Sequence, residues 1–116
     1  MQLATDYVTT IDELSVTRQA GDMLYLECLR VPAMSAGLYE LAAGAHDPQT
    51  PHDEDEIYYI VDGSGQIRID AVDYPVRAGS VIFVPARVEH RFHSIDTALR
   101  ILVVFAPAEG DHTPAQ

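Results

Sequence analysis

The chain has 116 residues, 47% of them hydrophobic, with 18 acidic against 7 basic side chains and a net charge of −11 at pH 7. That length suits one domain with one core. The lack of positive charge argues against nucleic acid as a principal partner, and no run of about 18 apolar residues offers a membrane span.

The first six residues lack the basic-then-apolar pattern of a leader. The single cysteine, Cys28, cannot form an intrachain disulfide, so a cytoplasmic location is expected. Thr10 can cap a helix whose first turn holds Asp12 and Glu13, but Ser15-Val16-Thr17 is poor helix sequence, which leaves a short helical turn or an added strand. Residues 23–31 read as a strand, with Cys28 as a buried apolar residue. Residues 35–41 read as a second, with Leu38 and Glu40 on one face and Tyr39 and Leu41 on the other. Asp47-Pro48 reads as a turn. Residues 56–61 are aromatic and β-branched, a strand signature, stopped by Asp62-Gly63-Ser64-Gly65. Strands are then expected at 66–70, 80–84, 88–93 and 99–105, with turns at 71–73, 77–79 and Pro85. Short strands with turns every 8–12 residues predict an all-β sandwich or barrel.

Within this series lie two spaced patterns, Gly44-x5-Thr50-x-His52-x3-Glu56-x6-Gly63 and Gly79-x5-Pro85-x4-His90. An even separation puts His52 and Glu56 on one strand face. His90 reaches that face only if the chain folds back on itself. Two histidines and a carboxylate are the ligand types of non-haem Fe(II), with Mn, Ni or Zn also possible. His93 has the opposite parity to His90 and is expected to face outward, while His112 falls in a polar tail.

The two patterns resemble the paired motifs of the cupin family, over roughly residues 34–107. The resemblance implies an all-β double-stranded β-helix, the cupin jelly-roll barrel, in one domain. It places residues 1–33 as N-terminal strands or a short helix, part of the barrel and of a homodimer interface. Residues 34–107 form the barrel core and 108–116 a flexible tail. It implies that His52, Glu56 and His90 hold a divalent metal, Fe2+ favoured over Mn2+, Ni2+ or Zn2+, with Tyr58, Ile60 and Phe92 lining the interior. Three positions depart from the family pattern: Thr50 for a histidine ligand, Arg87 for a glycine and Ser94 for an asparagine. Arg87 and Ser94 affect turns. At the position vacated at Thr50, Gln49 is expected as ligand or substrate contact in preference to His46, and residues 47–52, Asp-Pro-Gln-Thr-Pro-His, resemble a stretch of one cupin subgroup. Glu54 shares the parity of Glu56 and is a supporting or alternative ligand.

The expected function is a metal-dependent enzyme, an Fe(II) dioxygenase-type oxidoreductase acting on a small organic molecule, with Tyr58 as a catalytic proton donor. The alternatives are a non-catalytic ligand-binding or sensor protein, or a metal-free isomerase or epimerase with a histidine base. Arg68 or Arg100 could enter the cavity and bind a substrate carboxylate, which the sequence leaves open.

Overall fold

The structure, a computed structural model, describes residues 7–110. The expectations for the first six residues, and for His112 and the end of the tail, lie outside them. Helix α1 (Ile11–Ala20) precedes strands β1 (Tyr25–Val31), β2 (Met34–Leu41), β3 (Asp55–Ile69), β4 (Val72–Arg77), β5 (Val81–Val84) and β6 (His90–Ala106). The strands run in the order β1-β2-β6-β3-β4, and β5 pairs with β3. No helix among the described residues is long and apolar enough to cross a membrane.

The N-terminal segment is a true helix rather than a single turn. The Thr10 hydroxyl accepts a hydrogen bond from the Glu13 backbone N–H at 3.1 Å, and Asp12 and Glu13 sit in the first turn. This cap and the acidic first turn outweigh the weak propensity of Ser15-Val16-Thr17. Leu14 packs with Leu26, Cys28 and Leu38 in a small second core under the helix, a burial worth roughly 2 kcal/mol for the leucine alone. The helix is also tied electrostatically. Glu40, on the helix-facing side of β2, accepts from the Ser15 hydroxyl at 3.0 Å and pairs with both Arg18 and Arg100.

Two further differences from the sequence reading share one cause. Strand β3 runs straight through Asp62-Gly63-Ser64-Gly65, and β6 joins the expected strands 88–93 and 99–105 into one 17-residue element. The β3–β6 register shifts three times between Ile60 and Gln66. These are bulges, which bend a strand without ending it. Gly63 (φ 99°) lies against the Ala98 and Leu99 backbone, where any Cβ would clash, and Ser94 across the bend has φ 49°. Turn-type residues here mark a fold in a continuous ribbon.

That fold rolls the sheet into a jelly-roll barrel. Inward-facing Tyr58, Ile60, Ile67, Phe92, Leu99 and Ile101 are fully buried in the main core. Arg87 adopts φ 65°, a left-handed conformation, at the position where the family pattern has glycine. The expected tail is packed as far as Gly110. Ala108 is fully buried, the Glu109 N–H donates to Ser35 Oγ at 2.9 Å, and the Gly110 N–H donates to Glu54 at 3.1 Å.

Two outcomes follow. Burial raises the pKa of Glu40, but the Arg18, Ser15 and Arg100 contacts prevail and hold it below 4.5. Its stabilisation is therefore complete above pH 4.5 and is lost as pH falls through the depressed value. Glu40→Gln should cost about 1–3 kcal/mol in urea unfolding at neutral pH. The difference from wild type should shrink below pH 4.5, and a constant difference would contradict the assignment. Arg87→Gly should raise stability by about 0.5–1 kcal/mol through relief of the left-handed backbone; a lowered melting temperature would show that the Arg87 side chain has a structural role.

Candidate metal centre

Glu56 lies near the start of β3 and His90 at the start of β6. They are at opposite ends of the β3–β6 ladder, where Glu56 faces Phe105 and His90 faces Ile69. A straight strand from Glu56 to Ile69 would be roughly 43 Å long at about 3.3 Å per residue. Yet His90 Nε2 and Glu56 Oε1 are 3.1 Å apart, because the ribbon folds over at Gly63 and Ser94.

His52 joins them from outside the strands. It sits in the extended segment between β2 and β3, so strand parity does not explain its orientation. Its carbonyl accepts a hydrogen bond from the Arg87 N–H of the β5–β6 turn. Its ring packs edge-on against Phe105, with centroids 5.1 Å apart. One donor atom from each of His52, Glu56 and His90 lies within 4.8 Å of the others. Donors on one ion with bonds near 2 Å lie roughly 3–4 Å apart, so small side-chain rotations would bring these three to one cation.

The polar atoms here are unsatisfied. Both Glu56 carboxylate oxygens and His90 Nε2 are buried without a hydrogen-bond partner, with His90 Nε2 3.1 Å from Glu56 Oε1. His90 Nδ1 lies 2.9 Å from the Val88 carbonyl, which accepts only if Nδ1 carries the proton. That tautomer leaves Nε2 as a bare lone pair facing Glu56, the arrangement of a metal-binding imidazole. Burial works against the His90 imidazolium, but the Glu56 carboxylate and the Val88 carbonyl outweigh it and raise its pKa above 6.5. The donor set, its burial and its orphaned atoms fit a divalent cation.

Gln49 stands beside Thr50. Its Oε1 is 3.4 Å from His52 Nε2 and accepts a 2.9 Å hydrogen bond from the Tyr58 hydroxyl. Its Nε2 donates to Asp47 at 3.0 Å, which fixes the amide with its oxygen toward the centre. His46, by contrast, is exposed. Tyr58 is fully buried. Burial first, then the Glu56 carboxylate, push its phenol well above the ordinary range, so it is a neutral donor.

Asp47, read from sequence as part of a turn, organises this half of the centre. Its buried carboxylate accepts from the Tyr39 hydroxyl (2.6 Å), the Gln49 backbone N–H (3.1 Å), Gln49 Nε2 (3.0 Å) and the Phe92 N–H (2.9 Å). The available signal was an Asp two residues before a polar side chain, an Asx-type local bond. The Phe92 contact is long-range and invisible locally. Glu54 is buried and holds the C-terminal segment through Gly110 instead of joining the three converging donors. Neither open arginine enters the cavity: Arg68 forms a bidentate pair with Asp73, and Arg100 reaches Asp12, Glu40 and Asp62. His93 points away from the centre, to Asp73 at 2.8 Å.

Beside the centre is a cavity of about 100 Å³, with Tyr25, Gln49, His52, Glu56, Phe105 and Glu109 among its walls. Glu109 Oε2 lies 3.5 Å from His52 Nδ1.

Asp47→Asn places amide hydrogens against existing donors. It should cost about 2–4 kcal/mol and weaken metal binding roughly 10- to 100-fold by releasing Gln49. Denaturation together with metal titration measures both, and a variant with wild-type stability and affinity would overturn this role.

Among relatives, the uncharacterized protein SCO3923 of Streptomyces coelicolor is 48% identical over 99 residues, 85% of this chain and 94% of that protein. The dimethylsulfoniopropionate lyase DddW of Ruegeria pomeroyi is 32% identical over 75 residues, 65% of this chain; the match spans about half, 49%, of the lyase. Among solved structures, the cupin domain of Schizosaccharomyces pombe Cnp3 superposes with a TM-score of 0.66 at 21% identity, covering 72% of this chain and 63% of that one. Residues 37–105, most of the barrel, match the cupin domain family, and the chain belongs to that family.

Proposed function

We propose that the protein is a metal-dependent cupin enzyme acting on a small organic molecule, with His52, Glu56 and His90 holding a divalent cation and Gln49 Oε1 as a fourth ligand. One observation carries the reading: a buried carboxylate and a buried imidazole nitrogen face each other with no hydrogen-bond partner. An unpaired buried carboxylate costs several kcal/mol, and a cation between these groups removes that cost. When bound, the cation supplies a Lewis-acid centre, and as Fe(II) a site for dioxygen.

The protein's own groups then have distinct roles. The Val88 carbonyl fixes the His90 tautomer. Asp47 and Tyr58 orient the Gln49 amide from its two ends. Since the Tyr58 proton is engaged by Gln49, Tyr58 acts as a positioning residue rather than as the proton donor its place on the strand suggested. The cavity beside the centre admits a small molecule. The ligand types favour Fe(II) and an oxidative reaction. A second reading, an elimination with the cation as Lewis acid, is favoured by the 32% identity with DddW over 75 residues. Oxygen uptake with turnover that stops under anaerobic conditions supports the first; turnover unchanged without oxygen supports the second.

Metal analysis of protein purified without added metal tests the centre. His52→Ala and His90→Ala should each lose most of the bound metal, and His93→Ala should keep it. Gln49→Ala should lower affinity about tenfold or more; wild-type affinity in this variant would leave a three-residue centre. Both imidazoles must be neutral to bind, so affinity should fall and metal should leave on acidification, and the raised pKa of His90 makes protons compete for its nitrogen from a higher pH than for a free imidazole. Full metal content in both His→Ala proteins at neutral pH would defeat the reading.

A further inference from the structure

We propose that the cavity beside the centre recognises a compact organic cation, with Glu109 facing its positive group and Tyr25 donating a hydrogen bond to an oxygen of the same molecule. The inference rests on the metal-centre reading only in placing that oxygen toward His52, Glu56 and His90.

Tyr25 opens β1, and its ring is held edge-on by Tyr39 and Phe105, with centroids 6.4 and 6.3 Å away. Gly37 across the β1–β2 pair makes the space, since a Cβ there would lie 2.6 Å from the Tyr25 hydroxyl oxygen. So positioned, the hydroxyl is buried with no hydrogen-bond partner, and Tyr25 is among the residues that line the cavity. Buried hydroxyls are normally paired. A bound molecule with an acceptor oxygen supplies the missing partner.

Glu109 provides the opposite character. Its backbone is fixed on both sides: its N–H donates to Ser35, its carbonyl accepts from Arg30, and Ala108 before it is fully buried. The carboxylate is thereby presented at the cavity wall, one-third exposed and 3.5 Å from His52 Nδ1. No arginine lines the cavity, and the chain has no lysine. A fixed carboxylate beside the rings of Tyr25, Tyr39 and Phe105 is the environment that binds an ammonium or sulfonium group, through charge and through the ring faces. The volume of about 100 Å³ limits the ligand to a compact molecule.

The test compares two molecules of the same shape on metal-loaded protein by titration calorimetry: trimethylglycine, with a quaternary nitrogen, and 3,3-dimethylbutanoate, with a neutral quaternary carbon in its place. Wild type should bind trimethylglycine at least tenfold more tightly. Glu109→Gln should bring the ratio to about one. Tyr25→Phe should weaken trimethylglycine binding about five- to tenfold. Equal affinities in wild type, no binding of trimethylglycine, or a ratio that survives Glu109→Gln would each overturn the proposal, and the wild-type comparison needs no variant to fold. Metal content measured on the same samples separates the two readings: discrimination without bound metal keeps this inference and loses the centre, whereas bound metal without discrimination loses this inference alone.

Discussion

Everything at the candidate centre depends on one antiparallel ribbon, β3 against β6, folding across itself. Pairing alone would hold Glu56 and His90 at opposite ends of a long ladder. Closure brings them to 3.1 Å. The constraint falls on the bend, where three register shifts accumulate, Gly63 nests against the Ala98 backbone and Ser94 takes a left-handed conformation. A side chain at position 63 would meet main chain, which has no freedom to move aside. The conformational demand on the middle of the ribbon thus determines the chemistry at its ends.

Around that closure the polar groups form two sets. One is saturated: Asp47 accepts four hydrogen bonds and Glu40 is shared by Ser15, Arg18 and Arg100. The other is unsatisfied: Glu56, His90 Nε2 and the Tyr25 hydroxyl. Folding tolerates a few orphaned buried groups, and the convergence of Glu56 and His90 with His52 separates a site from a packing defect. Asp47 holds Gln49 and Phe92 in place beside the orphaned ones, whereas Glu40 ties the helix to the outer face of β2.

Much of this was legible in the sequence. The resemblance to the cupin motifs implied that Glu56, Tyr58, Ile60 and Phe92 face inward, and all four are buried. The two faces of β2 were read correctly from Leu38 and Glu40 against Tyr39 and Leu41. What escaped was long-range. The Gly-Ser-Gly stretch at 63–65 carries the composition of a turn, and only its partner strand makes it a bulge. Asp47 looks like a turn residue until Phe92, far along the chain, donates to it. Glu109 lies in a stretch with the composition of a tail, and its placement comes from Ser35, Arg30 and a buried Ala108.

The centre also divides by what carries it. The backbones of Glu56 and His90 belong to the ribbon and are held by its pairing. His52 and Gln49 belong to the segment between β2 and β3, secured by a few contacts from Asp47, Tyr58 and the Arg87 N–H. Substitutions in that segment would alter His52 and Gln49 while the β3–β6 ribbon stays intact. In a barrel built this way, the stretch between β2 and β3 can change its side chains without disturbing the ribbon that carries Glu56 and His90.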